Sequence, residues 1–158
     1  MPPSLLFDLE SIDLTNILFD RTAIQTKIPQ RFEMAQLDCI VHYDEATVSV
    51  VGYKEITDQE FWIRGHLPER PLMPGVLMLE AAAQLTTFCA KLINPDDERF
   101  IGFGGIENCK FRGTVVPGDR LYLIGKLIEN RPRRIICQTQ GVVNGQIVFQ
   151  AQVIGMAV

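Results

Sequence analysis

Glu80 and Gln84 stand in a run that is otherwise almost wholly apolar, Val76-Leu77-Met78-Leu79-Glu80-Ala81-Ala82-Ala83-Gln84-Leu85. On a helix, residues four apart share a face. A carboxylate enclosed among leucine, alanine and valine is costly unless it is paired or protonated. Burial therefore favours the protonated form, which a proton donor at neutral pH requires. The competing reading is a structural glutamate satisfied by nearby backbone or by an arginine. Upstream, His66 lies between Gly65 and Leu67-Pro68, so the backbone on both sides of an imidazole is restricted. Histidine is the side chain best matched to taking a proton near neutral pH, although a lone loop histidine is more often structural or merely exposed. Between the two, Pro74-Gly75 stands at a helix start, where the first N–H groups have no internal partner and carry the positive end of the helix dipole. Without a Cβ, Gly75 allows a carbonyl oxygen to approach its N–H closely; alternatively the glycine serves only the turn. A base, an acid and a backbone donor together suit proton abstraction next to a thioester carbonyl and protonation of a β-hydroxyl leaving group.

These groups need a scaffold. Pro74-Gly75 opens a helix that runs to about Ile93 and stops before Asn94-Pro95, because the residue before proline disfavours helix. It is apolar on nearly every face, the mark of an enclosed helix. Before it, residues 36–43 and 46–56 are rich in β-branched and aromatic side chains around the Asp44-Glu45 break, which predicts an antiparallel hairpin. After it, strands are expected over about 100–106, 109–116, 120–129, 133–142 and 146–154. Pro117-Gly118-Asp119 marks one turn and Asn144-Gly145 marks a two-residue hairpin. Residues 11–19 are read as a short helix capped by Ser11. One buried helix with six or seven antiparallel strands makes an α+β domain, a curled sheet round a central helix, which is the hot-dog arrangement. Residues 1–158 form a single domain in this reading, with an N-terminal extension of about 28 residues. A lone sheet of this kind leaves an edge and one side of the helix bare, so a homodimer is expected.

Composition limits the function classes. At 47% hydrophobic and 22% charged, the chain is an ordinary globular protein. The net charge of −4 argues against a generally basic, nucleic-acid-binding surface. Residues 1–60 carry 11 acidic and 4 basic side chains, whereas residues 61–158 carry an excess of basic ones. Lys110, Arg112, Arg131, Arg133 and Arg134 belong to that excess, together with Arg120 and Lys126. They form either a solvated face or a dock for an acidic protein. Cys39, Cys89, Cys109 and Cys137 have no ligand spacing, and Cys89 and Cys137 read as small buried hydrophobes. Neither His42 nor His66 has a second ligand nearby, so no metal or organic cofactor is expected. No leader segment or membrane insertion is expected, since the most apolar stretch, 72–93, contains Glu80, Gln84 and Lys91. The cytoplasm is the expected location.

The segment Gly65-His66-x-Pro68-x-x-Pro71-x-Met73-Pro74-Gly75-Val76-Leu77-x-x-Glu80-Ala81-x-Ala83-Gln84 resembles the (3R)-hydroxyacyl-acyl-carrier-protein dehydratases of type II fatty acid synthesis, of the FabZ kind. Further matches run through Phe103-x-Gly105-Ile106, Lys110-Phe111-Arg112 and Val115-Val116-Pro117-Gly118-Asp119, and a weaker one is Ile28-Pro29-Gln30-Arg31 leading to Leu37-Asp38. The resemblance spans residues 28–155. It implies that His66 and Glu80 are the catalytic pair, that Gly75 holds the thioester carbonyl beside Pro74 and Val76, and that Gln84 orients Glu80 or a water. It also implies a 3-hydroxyacyl thioester on acyl carrier protein as substrate. In the family the histidine and glutamate of one site come from different subunits, and members often form trimers of dimers, that is, homohexamers. The related FabA kind also isomerises the double bond and carries aspartate where this chain has Glu80, so Glu80 points to dehydration alone. Where the family has His-Phe-Pro-Gly, this chain has His66-Leu67-Pro68-Glu69. The early histidine-tyrosine-proline run is replaced by Gln30-Arg31-Phe32-Glu33, near the substrate tunnel in relatives. A hot-dog thioesterase and a non-catalytic acyl-binding subunit are the competing functions.

Overall fold

The computed structural model describes residue 1 and residues 3–158. In chain order its elements are α1 (Arg21–Gln25), β1 (Cys39–Asp44), β2 (Ser49–Glu55), α2 (Gly75–Ile93), β3 (Ile101–Phe111), β4 (Arg120–Arg131), β5 (Arg134–Val143) and β6 (Gln146–Ala157). The strands make one antiparallel sheet in the order β1-β2-β4-β5-β6-β3. The sheet curls round α2, giving the hot-dog arrangement with six strands.

Local chemistry sets the element limits. Pro74 is the N-cap of α2, one residue before the first helical position, and Asn94 caps the other end through its N–H on the Ala90 carbonyl. Asn144 and Gly145 both have positive φ, 49° and 76°, as a two-residue turn between antiparallel strands demands. Gly118 at φ 99° shapes the turn before β4, where its N–H donates to the Ile56 carbonyl at 2.7 Å. The two strands expected over 100–106 and 109–116 are instead one strand, β3. Asn108 enters the left-handed region at φ 51°, and the register with β6 slips between Glu107 and Lys110. A bulge of this kind absorbs one residue without ending the strand. Residues 112–116 leave the sheet.

The N-terminal expectation needs correction. Ser11 ends a single 3₁₀ turn, Leu9–Ser11, capped by Asp8, and residues 12–19 are not helical. Asp13 instead takes the Thr15 N–H (2.9 Å) and hydroxyl (2.6 Å), a local bond that competes with helix formation. Leu18 and Phe19 then run beside Ile40, and α1 starts after its own cap, Asp20. The extension divides between the faces: its first part packs on the outer face of the sheet, whereas Phe19, Ile24 and Ile28 join the inner core. Leu9, with Leu5, Leu6, Phe7, Ile12 and Leu14, joins Val41, Val51, Tyr53, Ile124 and Val142 in a second apolar cluster. Gln140 fastens it, accepting from the Leu6 N–H at 2.8 Å and donating to the Ser4 carbonyl at 2.9 Å.

The inner face holds the main core. Ala81, Ala82, Leu85 and Phe88 of α2 meet Ile40, Val50, Leu121, Leu123 and Phe149 of the sheet. Fully burying one such large side chain contributes about 1.5–3 kcal/mol. Cys89 is buried in this core, and Cys137 in a smaller cluster with Ala90 and Ile135. Although α2 has the length and composition of a membrane span, its inner face is this core. Its outer stripe, Val76, Glu80, Ala83, Thr87 and Lys91, is only half-covered or open, so the helix is not enclosed on every face. β3 forms an edge of the sheet, with Phe103 and Phe111 exposed.

Candidate active site

α2 holds its chemistry on the stripe that the sheet does not cover. Glu80 is half-buried, against the expectation of full burial, because positions 76, 80, 83 and 87 turn away from the strands. Glu80 Oε1 accepts a hydrogen bond from Gln84 Nε2 at 2.9 Å. Neither backbone nor arginine satisfies it, and its second oxygen has no partner among the described residues. Gln84 is itself locked: it is 1% exposed, Nε2 also donates to the Met34 carbonyl at 2.7 Å, and Oε1 accepts from the Gln36 N–H at 2.9 Å. The segment 33–36, tied down by Gln36 Nε2 on the Glu33 carbonyl, therefore braces Gln84, and Gln84 orients Glu80. Glu80 and Gln84 line a cleft of about 140 Å³ together with Gln30, Thr87, Phe100, Ile101 and Phe103.

The N-terminal end of α2 lies about 7.5 Å along the axis from Glu80, at 1.5 Å per residue. The Gly75 and Val76 N–H groups have no intramolecular partner among the described residues, and Val76 is 72% exposed. Gly75 is not required for a positive φ. A Cβ there would stand 2.8 Å from the half-exposed Phe111 ring, so the glycine admits a close neighbour over the helix end.

His66 sits on the loop 57–74, anchored on both sides. Near its start, Lys54 Nζ pairs with Glu60 at 3.1 Å, both side chains nearly shut off from solvent, and Trp62 is buried. Near its end, Met73 is buried and its N–H donates to the Val115 carbonyl at 2.8 Å. Between these anchors His66 is exposed, and its N–H donates to the Trp62 carbonyl at 2.9 Å. Breaking one partner of a buried pair costs about 3–5 kcal/mol, whereas replacing both with apolar groups is close to neutral. Lys54→Met should accordingly lower the denaturation midpoint strongly, and Lys54→Met combined with Glu60→Leu should recover most of the loss. Chemical denaturation of the three proteins measures this.

Not every expected residue is brought together. His66 does not line the Glu80 cleft, and no hydrogen bond joins the two within one chain. The basic set divides. Lys110 pairs in register with Gln150, whereas Arg134 pairs with Met156, six residues along β6 and so about 20 Å away. Lys110 and Arg112 flank Phe111 at the Gly75 end of α2. Arg131, Arg133 and Arg134 stand by the C-terminal end, where Arg131 and Arg134 both pair with Glu129. Within one chain these basic residues are therefore not one patch: the pairing of β3 and β5 with different stretches of β6 puts them at opposite ends of the sheet. Gln36, Met34 and Phe111 carry site roles that the spacing around Glu80 gave no sign of. For Gln36 the only available signal was a lone amide in an apolar strand-like run.

Comparison with known proteins identifies the family. The FabA-like domain family matches residues 28–152. The 3-hydroxyacyl-[acyl-carrier-protein] dehydratase FabZ of Clostridium botulinum (strain Loch Maree / Type A3) is 36% identical over 135 residues, covering 85% of this chain and 93% of the relative. The Bacillus subtilis (strain 168) protein of the same name is 35% identical over 137 residues, covering 85% and 95%. Among solved structures, the dehydratase heterocomplex ApeI:P from Xenorhabdus doucetiae superposes with a TM-score of 0.69 at 11% identity, over 85% of this chain and 90% of that one. A hypothetical thioesterase with coenzyme A from Streptococcus pneumoniae gives 0.59 at 9% identity, over 75% and 84%; at such identities the likeness is one of fold. The family match over most of the chain, with the curated relatives at this identity, places the chain in the FabA-like family, among the FabZ-type dehydratases.

Proposed function

We propose that the protein is a 3-hydroxyacyl-[acyl-carrier-protein] dehydratase that forms a trans-2-enoyl thioester by acid–base catalysis. The observation that carries the reading is the Glu80 carboxyl group, held by the Gln84 carboxamide at 2.9 Å with its second oxygen free beside the cleft. In this reading the Gly75 N–H, next to Pro74 and Val76, binds the thioester carbonyl oxygen and stabilises the enolate. His66 removes the C2 proton. Glu80 protonates the C3 hydroxyl, the C3–O bond breaks and water leaves. All of this is proton transfer on groups the chain and substrate supply.

Because His66 and Glu80 do not share a cleft within one chain, we assign each site a histidine from one subunit and a glutamate from its partner. The exposed edge of β3 and the half-covered stripe of α2 support a homodimer, since both need covering. The carrier protein delivers the thioester at the Gly75 end of α2. Lys110 and Arg112 lie at that end and are the residues we assign to an acidic carrier surface, whereas Arg131, Arg133 and Arg134 stand at the far end. Residues 1–158 form a single domain with an N-terminal extension of about 28 residues, whose part from Leu5 to Leu14 covers the sheet's outer face.

The test is the reverse reaction. Purified protein with crotonyl-acyl carrier protein should remove the enoyl absorbance without releasing thiol. Thiol release in place of hydration would make it a thioesterase, and binding with neither would make it a non-catalytic subunit.

A further inference from the structure

The Gln30 side chain makes no hydrogen bond with any described residue, and its Oε1 is closed off from solvent without a partner. An acceptor buried in that way has lost its water without gaining a partner, which is unfavourable. Gln30 lines the same cleft as Glu80. The backbone around it is held firmly: the Arg31 guanidinium donates to the carbonyls of Ile28 (2.8 Å), Gln30 (2.9 Å) and Gln25 (2.7 Å), and Ile28 is buried. A fixed backbone thus presents an unengaged carboxamide beside the acid. The other polar groups of the cleft are committed or distant. Gln84 is fully hydrogen-bonded and the Thr86 hydroxyl donates to the Ala82 carbonyl, while Thr87 stands about 10 Å beyond Glu80 along the helix axis.

We propose that Gln30 recognises the substrate's 3-hydroxyl group: rotation of its carboxamide turns Oε1 into the cleft, where it accepts the hydroxyl hydrogen while Glu80 donates its proton to the hydroxyl oxygen. A hydroxyl offers one donor and accepts through its lone pairs, so the two side chains together satisfy it. As the C3–O bond breaks, the Glu80 proton joins the departing oxygen, the C2 proton passes to His66, and the water keeps its original hydrogen on Gln30. Gln30 stays neutral and exchanges no proton. Its role is to orient the leaving group and to favour 3-hydroxyacyl over unsubstituted acyl chains, because an acyl chain lacking the hydroxyl leaves Oε1 unpaired.

This inference rests on the dehydratase reading, and the experiment separates the two. Full-length wild type, Gln30→Leu and Gln30→Ala are compared for dehydration of 3-hydroxybutyryl-acyl carrier protein. By calorimetry, each is also compared for binding of 3-hydroxybutyryl- and butyryl-pantetheine. Wild-type turnover reports on the reading itself. The ratio of variant to wild type, and the preference for the hydroxylated ligand, report on Gln30. Both variants are expected to lose about 10-fold in kcat/KM, the value of one neutral hydrogen bond, and to lose the preference for the 3-hydroxy ligand while binding the butyryl ligand as wild type does. A preference that survives in both variants, or is absent from wild type, overturns the proposal whether or not wild type turns over. Melting curves identify a variant that fails to fold, and the other variant then carries the comparison.

Discussion

Glu80→Gln is expected to lower the hydration rate of crotonyl-acyl carrier protein by about 10²–10⁴-fold, the usual contribution of a positioned acid or base. The substitution preserves shape. Gln84 Nε2 can still donate to an amide oxygen where it now donates to Glu80 Oε1 at 2.9 Å, so Gln84 keeps its bonds to Met34 and Gln36 and the brace behind the site stays intact. Only proton exchange is lost, since Glu80 gives a proton to the leaving hydroxyl in dehydration and takes one from water in hydration. The variant should therefore melt with wild type, bind acyl carrier protein with wild-type affinity and fail at the chemical step, seen as a fall in kcat with little change in KM. A rate within tenfold of wild type, in a protein that folds, would mean that the acid lies elsewhere.

The second large effect is expected at His66. Its ring is exposed and only its backbone N–H, on the Trp62 carbonyl, contributes to the loop's bonding. His66→Ala should accordingly leave stability unchanged while removing the base, with a loss again of about 10²–10⁴-fold. Mixing the two inactive proteins adds a test of how the site is assembled. If each site takes its histidine from one chain and its glutamate from the other, a mixed dimer contains one intact site. Random re-association should then restore about a quarter of wild-type activity, since a C₂ dimer holds two equivalent sites. If both groups come from one chain, no site regains its pair and the mixture stays inactive. The two chains should be unfolded and refolded together before the assay, so that subunits exchange.

The site was legible in the sequence to the extent that its parts are local. Pro74, Asn94-Pro95 and Asn144-Gly145 act within a few residues of themselves, and the structure puts boundaries at or within a residue of the positions they predict. The relation of Gln84 to Glu80 is likewise local, because a four-residue step on a helix sets which side chains meet. The reading failed where local rules competed. At Ser11 the cap chemistry was plausible, but Asp8 and Asp13 offered the backbone nearer partners. At Asn108 a polar residue that resembled a strand break was instead accommodated as a bulge.

What the sequence by itself determined was the identity and order of the chemical groups: an acid with an amide neighbour on one helix, a histidine on a loop before it, and a free helix N-terminus between them. These follow from residue type and short spacing, which chain connectivity enforces. Tertiary structure alone decided what those groups face. That α2 turns Glu80 outward depends on which of its sides the sheet covers. That Gln84 is braced by Met34 and Gln36 depends on contacts about 50 positions apart in the chain. The split of the basic residues depends on the strand order, which brings β3 beside β6 and sends Lys110 and Arg134 to opposite ends. Such pairings arise from burying apolar area across the whole domain, and no window of sequence contains both partners.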